Sequence, residues 1–192
     1  MAARCAVHGM KRLRVCALLA LTACFAVPFR SEALEPGRAA PPFELGCAES
    51  KLLRLSELAG SVVVMTLESR DTTGINQTFK DALLKAFPLE ERLRLGIAVV
   101  PVAACFQYFW PVNGICARHV RDSVKEVSLQ LYVDMSGDAF RDYGARTDTS
   151  TVVIIDRGGA VRFVMQGKIP DEDVDSVVGL VRTLAGDLPQ PQ

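Results

Sequence analysis

Ser61-Val62-Val63-Val64-Met65-Thr66-Leu67, followed at once by Arg70-Asp71-Thr72-Thr73-Gly74-Ile75, is the stretch on which the fold turns. The first part is short, apolar and β-branched, the composition of a strand buried on both faces. The second part offers Asp71, Thr72 and Thr73 as N-caps for a helix. Its apolar face would be Ile75, Phe79, Ala82, Leu83 and Ala86, and Pro88 would stop it. Working outward, Gly96–Ala103 reads as a second buried strand, with Pro101 pointing to a strand end or an edge. Asn113–Val127 reads as a helix and Ser128–Val133 as a third strand. Thr151–Ile155 and Val161–Gln166 flank Asp156-Arg157-Gly158-Gly159, a hairpin whose turn needs the positive φ that glycine supplies. The last helix is expected from Pro170, with Asp171, Glu172 and Asp173 at its positive dipole end. Val174, Val177, Val178, Val181 and Leu184 form its apolar stripe. Parallel strands need crossovers, so the expected fold class is α/β, a central mixed sheet flanked by helices.

Upstream, the chain begins with an address. Lys11, Arg12 and Arg14 precede the apolar run Val15–Val27, the proportions of a signal peptide and too short for a comfortable span. Ser31-Glu32-Ala33 fits a signal-peptidase site, so cleavage at 33/34 is one exit. Leu21-Thr22-Ala23-Cys24 fits a lipobox, so cleavage at 23/24 with a lipidated Cys24 is the other. Both exits place the domain outside the cytoplasm, in the periplasm or on the outer face of a bacterial membrane. Residues 34–42 (LEPGRAAPP) read as an extended tether, 43–186 as one domain and 187–192 as a tail. The 192 residues carry 22 basic and 22 acidic side chains. Five of the bases and one acid fall in 1–33, which leaves 17 against 21 and a net charge near −4 for the rest. That balance argues against a nucleic-acid partner. A membrane would be met only through a lipid anchor at Cys24.

Several segments are similar to a known superfamily. Gly37-Arg38-Ala39-Ala40-Pro41-Pro42-Phe43-Glu44-Leu45 resembles the opening G-x-x-A-P-x-F-x-L of exported thiol–disulfide oxidoreductases and peroxiredoxins. Leu55-Ser56-Glu57-Leu58-Ala59-Gly60 resembles their L-S-D-L-K-G segment. Tyr143-Gly144-Ala145-Arg146 and Ile154-Ile155-Asp156-Arg157-Gly158-Gly159 resemble Y-G-V-R and L-I-D-R-D-G. The resemblance implies a thioredoxin-like fold over residues 36–184. It also implies a W-C-x-x-C motif at the tip of the helix after the first core strand, where a helix N-terminus acidifies the attacking thiol. In this chain those two positions fall on Thr72 and Ile75, and Thr149 or Ser150 stands where the family has a cis-proline. On both counts the chain is similar to the YtfJ type of exported bacterial proteins, which carry an Arg and a Thr/Ser-rich stretch like Arg70–Gly74 in that place. What such proteins do is not settled.

Beyond the leader three cysteines remain, Cys47, Cys105 and Cys116, an odd number that allows at most one internal bridge. Cys105 closes the second strand and Cys116 lies near the start of the next helix, so the two can meet. In an oxidising compartment a structural bridge is favoured over a redox couple. Cys116 and His119 share a helix face, the best remaining nucleophile pair, weighed against a buried cysteine and a solvated histidine. With one histidine beyond the leader, neither a His-rich metal site nor a Ser–His–Asp triad is expected, and no motif calls for a cofactor. Phe106, Tyr108, Phe109, Trp110 and Pro111 are either core edge or a docking surface. Two functions follow. One is a non-enzymatic accessory protein that binds a protein or peptide partner of the envelope through Arg70, Thr72, Thr73, Ser150, Tyr108 and Trp110. The other is a divergent thiol–disulfide oxidoreductase or peroxiredoxin-like protein using Cys105, Cys116 and His119.

Overall fold

The strand Val62–Glu68 is the axis of the molecule, and all seven of its residues are buried. The computed structural model describes residues 34–47, 51–123 and 129–186. In chain order the strands are β1 (Glu44–Cys47), β2 (Leu52–Arg54), β3 (Val62–Glu68), β4 (Ile97–Ala104), β5 (Tyr132–Asp134), β6 (Thr151–Ile155) and β7 (Val161–Gln166). The helices are α1 (Gln77–Ala86), α2 (Leu89–Leu95), α3 (Val112–Ser123), α4 (Asp138–Asp142) and α5 (Val174–Gly186). The sheet runs β2-β1-β5-β4-β3-β6-β7. β3, β4 and β5 are parallel, with Val62 level with Ile97 and Glu68 level with Ala103. β6 and β7 are added antiparallel beside β3. This is the mixed α/β sheet expected of a thioredoxin-like chain.

Period-two alternation along β3 divides the core. Val62 and Val64 pack with Phe79 and Leu83 of α1 and with Val174, Val177, Val178 and Val181 of α5. Val63, Met65 and Leu67 pack on the opposite face with Phe43, Phe140 and Tyr143. Each fully buried side chain of this size contributes about 1.5–3 kcal/mol relative to exposure. A polar residue in place of Val64 or Met65 would disrupt one layer.

The structure departs from the sequence reading at element ends and in short elements. Residues 70–76 form successive turns instead of helix, with Ile75 N–H bonded to Thr72 O at 3.0 Å and Gln77 N–H to Gly74 O at 3.3 Å. Two adjacent threonines and a glycine are poor helix formers, and both hydroxyls bond back to backbone carbonyls. α1 therefore starts at Gln77, and Ile75 precedes it. Pro101 sits inside β4, not at its end or on an edge. It is level with Thr66 of β3, while pairing with β5 begins one residue later, at Val102. α5 begins at Val174 after a turn in which Asp173 N–H meets Pro170 O at 2.9 Å. Its buried stripe ends on Ala185, with Leu184 half-buried. The β1–β2 pair, α2 and α4 are too short to register as periodic sequence.

Residues 34–42 are not extended throughout: the chain turns at Pro36-Gly37, where Arg38 N–H bonds Glu35 O at 3.3 Å, and is then laid along the sheet. Gly37 N–H bonds Val161 O at 2.7 Å, Ala40 N–H bonds Gly159 O at 2.9 Å, and the Tyr143 hydroxyl donates to Pro41 O at 2.6 Å. The hairpin turn is as read: Gly159 has φ of +80°, and Asp156 Oδ1 accepts the Gly158 and Ala160 N–H groups, each at 2.9 Å. The leader with Cys24, and the tail 187–192, lie outside the described residues.

Candidate functional site

At the C-terminal end of β3, where the resemblance to thiol–disulfide oxidoreductases implies a dithiol, the protein builds a chain of hydrogen bonds. Asn76, the N-cap residue of α1, makes no side-chain cap; its amide reaches across the fold. Nδ2 donates to Ser150 Oγ and to Gly167 O, and Oδ1 accepts the Ile169 N–H, all three at 2.9 Å. Ser150 Oγ in turn donates its hydroxyl hydrogen bond to Glu68 Oε1 at 2.8 Å. Glu68 Oε2 is paired with Lys80 Nζ at 3.0 Å, and Lys80 also donates to Thr73 O. Thr72 Oγ1 accepts the Ser69 N–H at 2.8 Å. Glu68, Ser69, Thr72, Asn76 and Ser150 are all buried. Such a network ties the tip of α1 to the start of β6 and to the β7–α5 connection. It holds no sulfur and exposes no nucleophile.

Sulfur appears one strand further over. Cys105 follows β4 and lies two residues beyond Ala103, the residue level with Glu68. Cys105 and Cys116 form a disulfide with a Cα–Cα distance of 5.7 Å, inside the ordinary range. The Cys105 residue is 0% exposed, whereas Cys116 is half-buried. None of the α3 residues whose burial is described is fully buried, so this bond is the covalent tie between α3 and the end of β4. The aromatic stretch before α3 divides. Phe106 packs edge-on against Phe140 with ring centroids 5.2 Å apart, and Tyr108 is half-buried. Phe109 and Trp110 are 90% and 85% exposed. Val112 and Ile115 are exposed beside them.

The residues singled out from sequence thus fall into two places and not one surface. Arg70 and Thr73 are exposed on the turn before α1, but Thr72 and Ser150 are inside the network and cannot meet a partner directly. Trp110 is exposed, in the loop that joins β4 to α3, the crossover that carries the disulfide. His119 lies on α3, and its side chain is outside the described part of the structure, as is that of Cys47. Glu68, Asn76 and Lys80 were not anticipated. A glutamate ending an otherwise apolar strand, VVVMTLE, was the available signal for the first. Among the described residues no cluster of His, Cys, Asp or Glu is arranged to hold a metal ion. A groove of about 410 Å³ between β1–β2 and α4 is rimmed by Arg54 and Arg141, both paired with neighbouring carboxylates, and contains none of the candidate residues.

Comparison with known proteins bears on the fold. Residues 108–184 match a family described as a bacterial protein of unknown function (YtfJ_HI0045). An uncharacterized protein of Haemophilus influenzae is 31% identical over 55 residues, a match that spans 29% of this chain and 30% of that protein. Among solved structures, a protein named provisionally as the thiol:disulfide interchange protein DsbE of Chlorobium tepidum superposes with a TM-score of 0.61 at 22% identity. It covers 80% of this chain and 100% of its own. Peroxidoxin BcpB of Mycobacterium tuberculosis superposes with a TM-score of 0.56 at 18% identity, over 79% and 98% of the two chains. The fold is thioredoxin-like, and the stretch beginning at Tyr108 is similar to the YtfJ type.

Proposed function

We propose that this chain is an exported thioredoxin-fold protein of the bacterial cell envelope that exchanges disulfides through Cys105 and Cys116, not through the tip of α1. The observation that carries this reading is the closed Cys105–Cys116 bond at the C-terminal end of the central parallel strands, with Cys116 partly open to solvent. The oxidised pair would accept two electrons from two thiols and release them as a disulfide. The basic segment and apolar run of residues 11–27 support export, and an oxidising compartment would keep the pair closed. The test is equilibration of the folded protein with reduced and oxidised glutathione, read by alkylation and mass. The expected result is reversible opening in the native state, with a potential above about −300 mV. A bond that opens only when the protein is unfolded would mark it as structural and overturn the exchange.

A second reading, an accessory protein that binds an envelope partner without exchange, is favoured by the satisfied, sulfur-free network around Asn76. Partner binding unaffected by Cys116→Ser and by the state of the disulfide would select it.

A further inference from the structure

We infer that the substrate of this exchange is a cysteine held in an apolar polypeptide segment, and that it attacks Cys116; the inference rests on the exchange reading above. Of the two sulfurs only that of Cys116 belongs to a partly exposed residue. Cys105 is closed in, so it can leave but cannot be approached first. Eight large hydrophobic side chains are exposed among the described residues, and four of them, Phe109, Trp110, Val112 and Ile115, lie within seven positions just before Cys116. Ile115 is its neighbour in sequence, and Val112 lies one helical turn earlier on the same face. Of the other four, Leu89 and Leu93 lie one turn apart on α2, and Leu52 and Met135 stand singly in other segments. Exposed apolar side chains gathered beside one reactive bond define a surface that water covers poorly and an apolar peptide covers well. No acidic residue lies in the first turn of α3, and Arg118 is exposed two residues past Cys116, so an approaching thiolate meets no carboxylate from that helix segment. A small hydrophilic thiol would gain nothing from these contacts.

The steps balance. A client thiolate bonds to Cys116 Sγ while the Cys105–Cys116 bond breaks, and its electron pair leaves on Cys105, which takes up a proton. The client's second thiolate then attacks its own sulfur in the mixed disulfide and releases Cys116. The client dithiol is oxidised by two electrons, and the protein pair is reduced.

The experiment uses the full mature chain in its oxidised form and two synthetic peptide dithiols of identical cysteine spacing. One has Leu and Phe flanking the cysteines, the other Ser and Gln, and dithiothreitol serves as a reactivity standard. Opening of the pair is followed by alkylation and mass, and rates are compared per thiolate. The apolar peptide is expected to react about tenfold faster than the polar one, the effect of one well-buried aromatic contact. Trp110→Ser should bring that ratio toward one, while Leu93→Ser, on the exposed side of α2, should leave it unchanged. With an activated disulfide of the apolar peptide, Cys105→Ser should form a mixed disulfide on Cys116, and Cys116→Ser should form none on Cys105. Equal rates for the two peptides would overturn apolar recognition while leaving exchange intact. A mixed disulfide formed on Cys105 would overturn the point of attack. Failure of dithiothreitol to open the pair in the folded chain would overturn the exchange itself.

Discussion

Replacing Asn76 by alanine tests whether a polar tie has taken over the place of the dithiol at the tip of α1. Asn76 is 2% exposed and makes three hydrogen bonds, all at 2.9 Å, to Ser150, Gly167 and Ile169. Truncation leaves the Ile169 N–H and the Gly167 carbonyl without that partner, while Ser150 keeps its bond to Glu68. At about 1 kcal/mol net for each bond, the expected loss is roughly 3 kcal/mol. For a domain of this size that lowers Tm by roughly 6–12 °C. Asn76→Asp is the sharper variant. It keeps an acceptor for Ile169 N–H but loses both donors and sets a second carboxylate beside the Ser150–Glu68 bond. It should cost at least as much at neutral pH. Urea unfolding of both variants gives the numbers, and an unchanged slope shows that the unfolded state is not the cause. The loss should be about the same with the Cys105–Cys116 bond open or closed, because none of the network's side-chain hydrogen bonds among the described residues is made to Cys105 or Cys116. A loss below about 1 kcal/mol for Asn76→Ala, or wild-type stability for Asn76→Asp, would refute the network as the element that closes this site.

Other consequences are open to measurement. Cys105→Ser with Cys116→Ser removes a cross-link between residues 11 apart in sequence and should cost about 3 kcal/mol in denaturant unfolding, with the wild type in reductant falling to the same value. Arg157 holds the carbonyls of Gly60, Leu95 and Ala185 at 2.8, 2.7 and 3.0 Å, joining the ends of α2 and α5 to the hairpin. Arg157→Ala should cost about 2–4 kcal/mol in thermal unfolding, and Arg157→Lys should recover only part, since an ammonium lacks the planar fork. Burial, with the nearby Asp142 charge adding to it, pushes the Tyr143 hydroxyl above its usual range. The folded state therefore favours the neutral phenol. That contribution is intact below about pH 10, the value for an unfolded tyrosine, and fades as pH rises beyond it. Urea midpoints measured across that range should fall more steeply for the wild type than for Tyr143→Phe.

The absence of sulfur at the helix tip and the presence of a closed pair on the next crossover separate two things the thioredoxin fold usually unites. The scaffold needs only the apolar alternation of β3 and its neighbours, and that survives intact. The exchange proposed above needs an accessible sulfur near the strand ends, and Cys116 of α3, bonded to the buried Cys105 just past β4, would supply it. Fold and site can therefore drift apart without disturbing the core.

The sequence by itself determined the strands β3, β6 and β7, the β6–β7 turn with its glycine, and the apolar stripes of α1 and α5. These are legible because each depends on neighbours a few positions away, through periodicity or turn chemistry. Only the tertiary structure decided that Asn76 meets Ser150, Gly167 and Ile169, residues 74 to 93 positions distant. It also decided that Phe106 turns inward while Phe109 and Trp110 stay in solvent. Such choices follow from strand register and from which surfaces remain uncovered after the sheet has closed, and no local pattern encodes either.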